Sequence, residues 1–279
     1  MKINNFAGTI ATDLKLANIL TGLMPHSSLH PCTWCDIPKT NLKNCGSYRT
    51  FKSCLENYEA WKRQGAVMKN AKIFNNCINP PVISASDNNT KILDIIPPPE
   101  LHLVLGVVNT VMDDLLKNCE VHAIKYAKSC DAEREITHGG AGFKGGSCKK
   151  LLKGVNYLRS FNCFTCTKYV DVLQKFNDVV DDCFSMELKS SYTFSIKEFK
   201  KSYLGANLPV TPKVHAVFYH VEDFCKEKKK GLGFYCEQAV EPVHHDFDCT
   251  WSKHRVSENH HLFQEKLYDA VIDYNSNHL

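Results

Sequence analysis

Thr12-Asp13-Leu14-Lys15-Leu16-Ala17-Asn18-Ile19-Leu20-Thr21-Gly22-Leu23 leads, nineteen residues after its aspartate, to Cys32-Thr33-Trp34-Cys35. Leu14, Leu16, Ala17, Ile19, Leu20 and Leu23 fit an amphipathic helix that Gly22 and Pro25 would close. Upstream, Ile3, Phe6, Ala7, Ile10 and Ala11 lack helical spacing and are expected to form a strand ending at Asp13, where a carboxylate is well set for chemistry. Downstream, His26 to Cys35 reads as a turn-rich loop. A CxxC on one tight turn lets two thiolates reach a single tetrahedral metal ion. No regular strand and helix frame surrounds it, which argues against a thioredoxin-type redox pair. Asp13 therefore needs further carboxylates, and the cysteine pair needs two further ligands, from elsewhere in the chain.

Composition bounds the alternatives. With 279 residues, 43% hydrophobic and 23% charged, the chain can bury one large core or two small ones, so disorder is not the expectation. A net charge of +4 permits a polyanionic partner without demanding one. The fourteen cysteines are too sparse for a small disulfide scaffold, and no secretory signal is evident at the N-terminus. Reduced thiols, metal binding and an intracellular location are the expectation. Charges or prolines interrupt every apolar run short of the roughly 20 residues that span a bilayer, so no membrane partner is expected.

Residues 41–89 are polar and irregular, with one helix expected from Cys54 to Gly65. Pro97-Pro-Pro-Glu100 starts the most convincing helix, carried by Leu101, Leu105, Val108, Met112, Leu115 and Leu116, and Glu100 reads as its first-turn acid. Gly139-Gly-Ala-Gly-Phe-Lys-Gly-Gly-Ser147 invites a phosphate-loop reading that fails in detail. Gly146, not lysine, precedes the serine, and no apolar strand feeds the loop. With Lys144, Lys149 and Lys150 beside it, the segment reads better as a loop that is flexible or contacts nucleic acid. From Leu151 to Leu204 the spacing is helical throughout, and Cys163-Phe-Thr-Cys166 within it reads as a pair of buried core thiols.

Chemical interest returns with Thr211-Pro-Lys-Val-His215-Ala-Val-Phe-Tyr-His220, the basic run Lys226 to Lys230, and Gly231-Leu-Gly-Phe-Tyr-Cys-Glu237-Gln-Ala-Val-Glu241. His215 and His220 would complete a Cys2His2 tetrahedron with Cys32 and Cys35. Five residues on an ideal helix turn through about 140°, so the helix is expected to end or distort near His220 if both rings hold one ion. The tail histidines His244, His245, His254, His260 and His261 lack an HExxH frame and read as polar surface.

Taken together these residues resemble the catalytic domain of eukaryotic cut-and-paste DNA transposases. The similarity is to the ribonuclease-H-like branch with a CxxC after the second acid and an HxxxxH before the third, which includes Transib transposases, the related V(D)J recombinase and CACTA-type elements. The resemblance implies that Asp13 is the second acid and Glu237, or Glu241 one helical turn on, the third. It implies zinc on Cys32, Cys35, His215 and His220, and magnesium or manganese at the acids for strand cleavage and transfer. The implied fold is α/β and mostly helical. Residues 1–50 and 211–279 would be the remnant of a ribonuclease-H-like core, and 51–210 a mainly helical insertion tied to it by the zinc. DNA is the implied partner, the nucleus the implied location, and a homo-oligomer a further expectation.

The departures limit the implied activity. Twelve residues precede Asp13 and none is acidic, so the position of the first acid has no match, and Cys236 stands where serine is usual. A transposon-derived chain that is catalytically incomplete is the expectation. The alternative is a zinc-stabilised module that binds DNA or protein without catalysis.

Overall fold

The computed structural model describes residues 8–85, 87–137, 140–236, 241–257 and 259–278, without the side chains of residues 137, 241–245 and 278. They form a mostly helical protein: α1 (Leu14–Thr21), α2 (Phe51–Arg63), α3 (Ile92–Ile95), α4 (Glu100–Ser129), β1 (Arg134–Thr137), β2 (Gly140–Phe143), α5 (Gly145–Lys153), α6 (Val155–Ser160), α7 (Phe164–Cys183), α8 (Tyr192–Gly205), α9 (Pro212–Lys228), α10 (Glu241–His254) and α11 (Phe263–His278). Two compact units result, one running to Cys236 and one from Glu237 onward.

In the first unit α4 is the central element. Leu103, Val104, Val107, Val108, Val111, Met112 and Leu115 recur at three- and four-residue steps and are all buried. This face is broader than the expected one and rotated from it, leaving Leu101 and Leu105 half-buried. α7 and α9 pack against it and α8 packs against those two, contributing an aromatic core in which Phe199 lies 5.0 Å from Phe176 and 5.7 Å from Phe218, ring centre to ring centre. Pro99 precedes α4, and Thr211 caps α9 by accepting from the Val214 amide with Pro212 as the first helical residue, so both helices start where their prolines suggest. α1 ends on Gly22 in the left-handed region (φ 75°). A Cβ there would sit 2.0 Å from the Asn79 carbonyl oxygen.

Strand structure differs from expectation. Residues 8–12 form no strand: the Ile10 amide donates to the Ile95 carbonyl at the end of α3, so the segment lies against a helix end and meets no strand edge there. Residues 1–7 of that expected strand lie outside the described residues. Among the described residues the one sheet is the antiparallel pair β1–β2, in register from Arg134 opposite Phe143 to Thr137 opposite Gly140. The glycine-rich segment thus supplies a hairpin strand and then enters α5. Two of its lysines are ion-paired, Lys144 with Glu135 and Lys150 with Asp131.

In the second unit α10 and α11 pack on each other, and Thr250 and Ala270 are its buried residues among those described. No helix among the described residues is long and apolar enough to cross a membrane.

Candidate metal centre

The loop after α1 is held rigidly before it reaches any ligand. Thr33 donates to Asn18 at 2.8 Å, the Trp34 indole donates to the Ile96 carbonyl at 2.8 Å, and the Arg49 amide donates to the Trp34 carbonyl at 2.9 Å. The buried Arg49 guanidinium donates to the carbonyls of Cys32 (3.2 Å), Cys35 (3.0 Å) and Asn75 (3.0 Å). One planar cation thereby fixes the backbone of both cysteines.

Against this knuckle lies α9, carrying His215 and His220. The Cys32 sulfur is 3.2 Å from His220 Nε2, the Cys35 sulfur 3.3 Å from His215 Nε2, and the two Nε2 atoms are 3.1 Å apart. All four donors lie within 4.8 Å of one another and all four residues are buried. Tetrahedral bonds of about 2.3 Å to sulfur and 2.0–2.1 Å to nitrogen set donor separations of roughly 3.3–3.8 Å, so the observed distances lie at or just under the short end. His215 Nδ1 donates to the Leu42 carbonyl at 3.0 Å, which leaves its Nε2 lone pair facing the sulfurs. His220 Nδ1 is buried with no hydrogen-bond partner. Four lone-pair donors converging in a buried space form an unfavourable arrangement by themselves and a favourable one around a cation. The four residues can hold a metal ion, with every ligand supplied by protein and none left open for substrate.

Electrostatics at the centre follow from burial and shared protons. Burial raises the Cys32 thiol well above its ordinary range, while hydrogen bonds from Cys32 and then Cys45 pull Cys35 far down. Burial also lowers His220, favouring the neutral imidazole that a metal requires. Around the donors, Tyr48 donates to Asp223, and Tyr219 to the Lys43 carbonyl, so residues 42–48 are stitched along α9 at three points besides the cysteines.

The expected distortion near His220 does not occur. α9 runs unbroken through both histidines to Lys228. Their rings, 5.0 Å apart and inclined at 72°, lean toward one another from the two flanks of the buried face. An imidazole's reach from the backbone spans the angle that the helix itself leaves open.

Asp13 is engaged locally: it caps α1, accepting from the Leu16 amide at 2.6 Å. It joins no cluster of three or more acidic, histidine or cysteine ligands among the described residues. Glu237 lies outside the described residues. Glu241 begins α10, and its side chain is likewise outside the description. No step through magnesium or manganese is therefore derived. In the histidine-rich tail, His254 bonds Asp273 at 3.1 Å, and His260 stacks on His261.

A second cluster escaped the reading of the sequence. Cys163 and Cys166, expected as buried core thiols, meet Cys119 and His122 of α4, with all four donor atoms within 4.8 Å; Cys163 is half-buried. The signal was present as Cys119-Glu-Val-His122, a ligand pair at CxxC spacing inside a strongly helical run, where apolar periodicity dominates the reading.

No protein-family model matches the chain, and no curated protein matches it. Fold and site define a mostly helical protein with a buried Cys2His2 ligand set.

Proposed function

We propose that this chain is a transposon-derived protein resembling DDE-type DNA transposases, in which zinc on Cys32, Cys35, His215 and His220 ties the N-terminal knuckle to α9, and which does not cut DNA by itself. The observation that carries this reading is the meeting of CxxC and HxxxxH, in the order of the transposase motif and some 180 residues apart in sequence, at one buried point. A sulfur and nitrogen donor set of four favours zinc over the hard cations, and its closure gives the ion a structural role.

The partial ribonuclease-H-like core belongs to the same proposal, with Asp13 and Glu237 or Glu241 as matches to two of three acids. Two-metal phosphoryl transfer needs carboxylates that converge on both ions, and Asp13 joins no such cluster among the described residues. The expected outcome with supercoiled plasmid and either magnesium or manganese is therefore no nicking. Metal-dependent nicking that Asp13→Asn abolishes would reverse this conclusion.

The second reading, a zinc-stabilised module that binds DNA or protein without catalysis, is favoured by Asp13 serving as the cap of α1. Its basic surface would be the run from Lys226, since Lys144 and Lys150 are already paired with acids. DNA binding that weakens steeply with salt and persists in Asp13→Asn supports that reading.

A further inference from the structure

We propose that Cys119, His122, Cys163 and Cys166 form a second metal centre, a Cys3His zinc site that fastens the bend in α4 to the start of α7. The proposal stands apart from the transposase reading and does not depend on it.

Three observations carry it. The donor atoms of all four residues lie within 4.8 Å of one another, and the Cys119 and Cys163 sulfurs are 3.9 Å apart. That matches the sulfur to sulfur edge of about 3.8 Å that zinc–thiolate bonds of about 2.3 Å require. Cys163 precedes α7 and Cys166 lies in its first turn, with the Cys166 amide donating to the Cys163 carbonyl at 2.9 Å, so this CxxC sits on the kind of tight turn that presents two sulfurs to one point.

The second observation is the bend itself. α4 is interrupted at Cys119, whose backbone (φ −154°, ψ 53°) is not helical. Helix kinks are nearly always attributable to proline, glycine, a bulge or an inserted group, and Leu116-Lys117-Asn118-Cys119-Glu120 contains neither proline nor glycine. The departure falls on a donor, and His122, three residues later, brings its ring nitrogen within 4.8 Å of the Cys119 sulfur.

The third is exposure. Cys119, His122 and Cys163 are half-buried, whereas a thiol used only for packing is among the most completely buried of side chains. Neighbouring contacts hold the two helices in place independently of any ion. Asn118 and Tyr169 share a hydrogen bond of 3.1 Å, Tyr169 donates to Asp114 at 2.7 Å, and the His122 ring lies 5.5 Å from that of Phe161. A disulfide between Cys119 and Cys163 is the competing chemistry, and it would leave His122 and Cys166 without a role.

The test is metal content of the full chain, purified with reductant and loaded with zinc alone. Two zinc ions per chain are expected in the wild type, one in Cys163→Ser/Cys166→Ser and one in Cys32→Ser, with His122→Cys retaining two. Chelator should remove the half-buried ion first. One zinc per chain in the wild type, unchanged by Cys163→Ser/Cys166→Ser, overturns the proposal, as does a Cys119 to Cys163 disulfide found by mass spectrometry with a single zinc. Should the double variant not fold, zinc-edge X-ray absorption on the wild type decides. Cys2His2 and Cys3His together average more than two sulfurs per zinc, and a value of two overturns the second centre.

Discussion

His215 and His220 are equally buried, yet only His215 has its outer ring nitrogen satisfied, through Leu42. That bond orients the ring as a ligand, so the centre is built from its neighbours as much as from its donors. Cys32→Ser is expected to remove one zinc equivalent and to lower the melting temperature by on the order of 10 °C, from about 3–5 kcal/mol at roughly 2–4 °C per kcal/mol. Calorimetry beside metal analysis checks both; full metal retention in the variant would dismiss the Cys2His2 centre. Arg49 is the strongest test of the supporting shell. Arg49→Ala strands three carbonyls and is expected to weaken zinc binding by roughly 10- to 100-fold. Arg49→Lys should rescue little, because an ammonium cannot reproduce the planar fork. Competition with a zinc chelator measures the change, and unaltered affinity in both variants would assign Arg49 to packing alone.

At the scale of elements, the turn from α7 into α8 is governed by Asp182. Its carboxylate accepts from Ser191 and Ser195, each at 2.7 Å, and pairs with Lys189 at 3.3 Å. Burial pushes the carboxyl upward, but hydrogen bonds from Ser195 and Ser191 together with Lys189 outweigh it and hold the group below its ordinary value. The folded state thus binds the proton less readily than the unfolded one. The stabilisation is fully present above the unfolded value of about 3.9 and is lost as pH falls through the lower folded value. Asp182→Asn is expected to cost about 1–3 kcal/mol at neutral pH and to flatten the acid limb of a stability profile. Urea titrations between neutral and acid pH would expose the opposite result, an unchanged slope. The helices themselves were legible because their signals are local. The start of α4 follows from Pro97 to Glu100, the end of α1 from Gly22, and the helices between Leu151 and Leu204 from apolar spacing, whereas the glycines that open α5 read as loop. An extended segment near Asp13 was misread as a strand because strand identity depends on a hydrogen-bonding neighbour that a single segment does not reveal.

Across the whole molecule, the extended core lies within the first unit, from Leu14 to Leu232, while Thr250 and Ala270 are the buried residues of the second among those described. Residues 1–236 are therefore expected to fold alone with their metal and with near-unchanged melting temperature. A peptide of residues 237–279 should be only weakly helical, since two short helices bury too little to offset chain entropy. Circular dichroism of the two fragments tests this, and a collapse of the larger fragment would show that its stability depends on the remainder of the chain.

By itself the sequence determined the helical character of the chain, the principal helix starts and the four residue types from which a Cys2His2 centre is assembled, since periodicity, capping and CxxC spacing act over a few residues. Only the tertiary structure decided that His215 and His220 reach one point from an undistorted helix, and that Cys119 and His122 meet Cys163 and Cys166. Those outcomes depend on how α4, α7 and α9 pack. Side-chain reach and the crossing of helices distant in sequence leave no trace in the order of residues along any one of them.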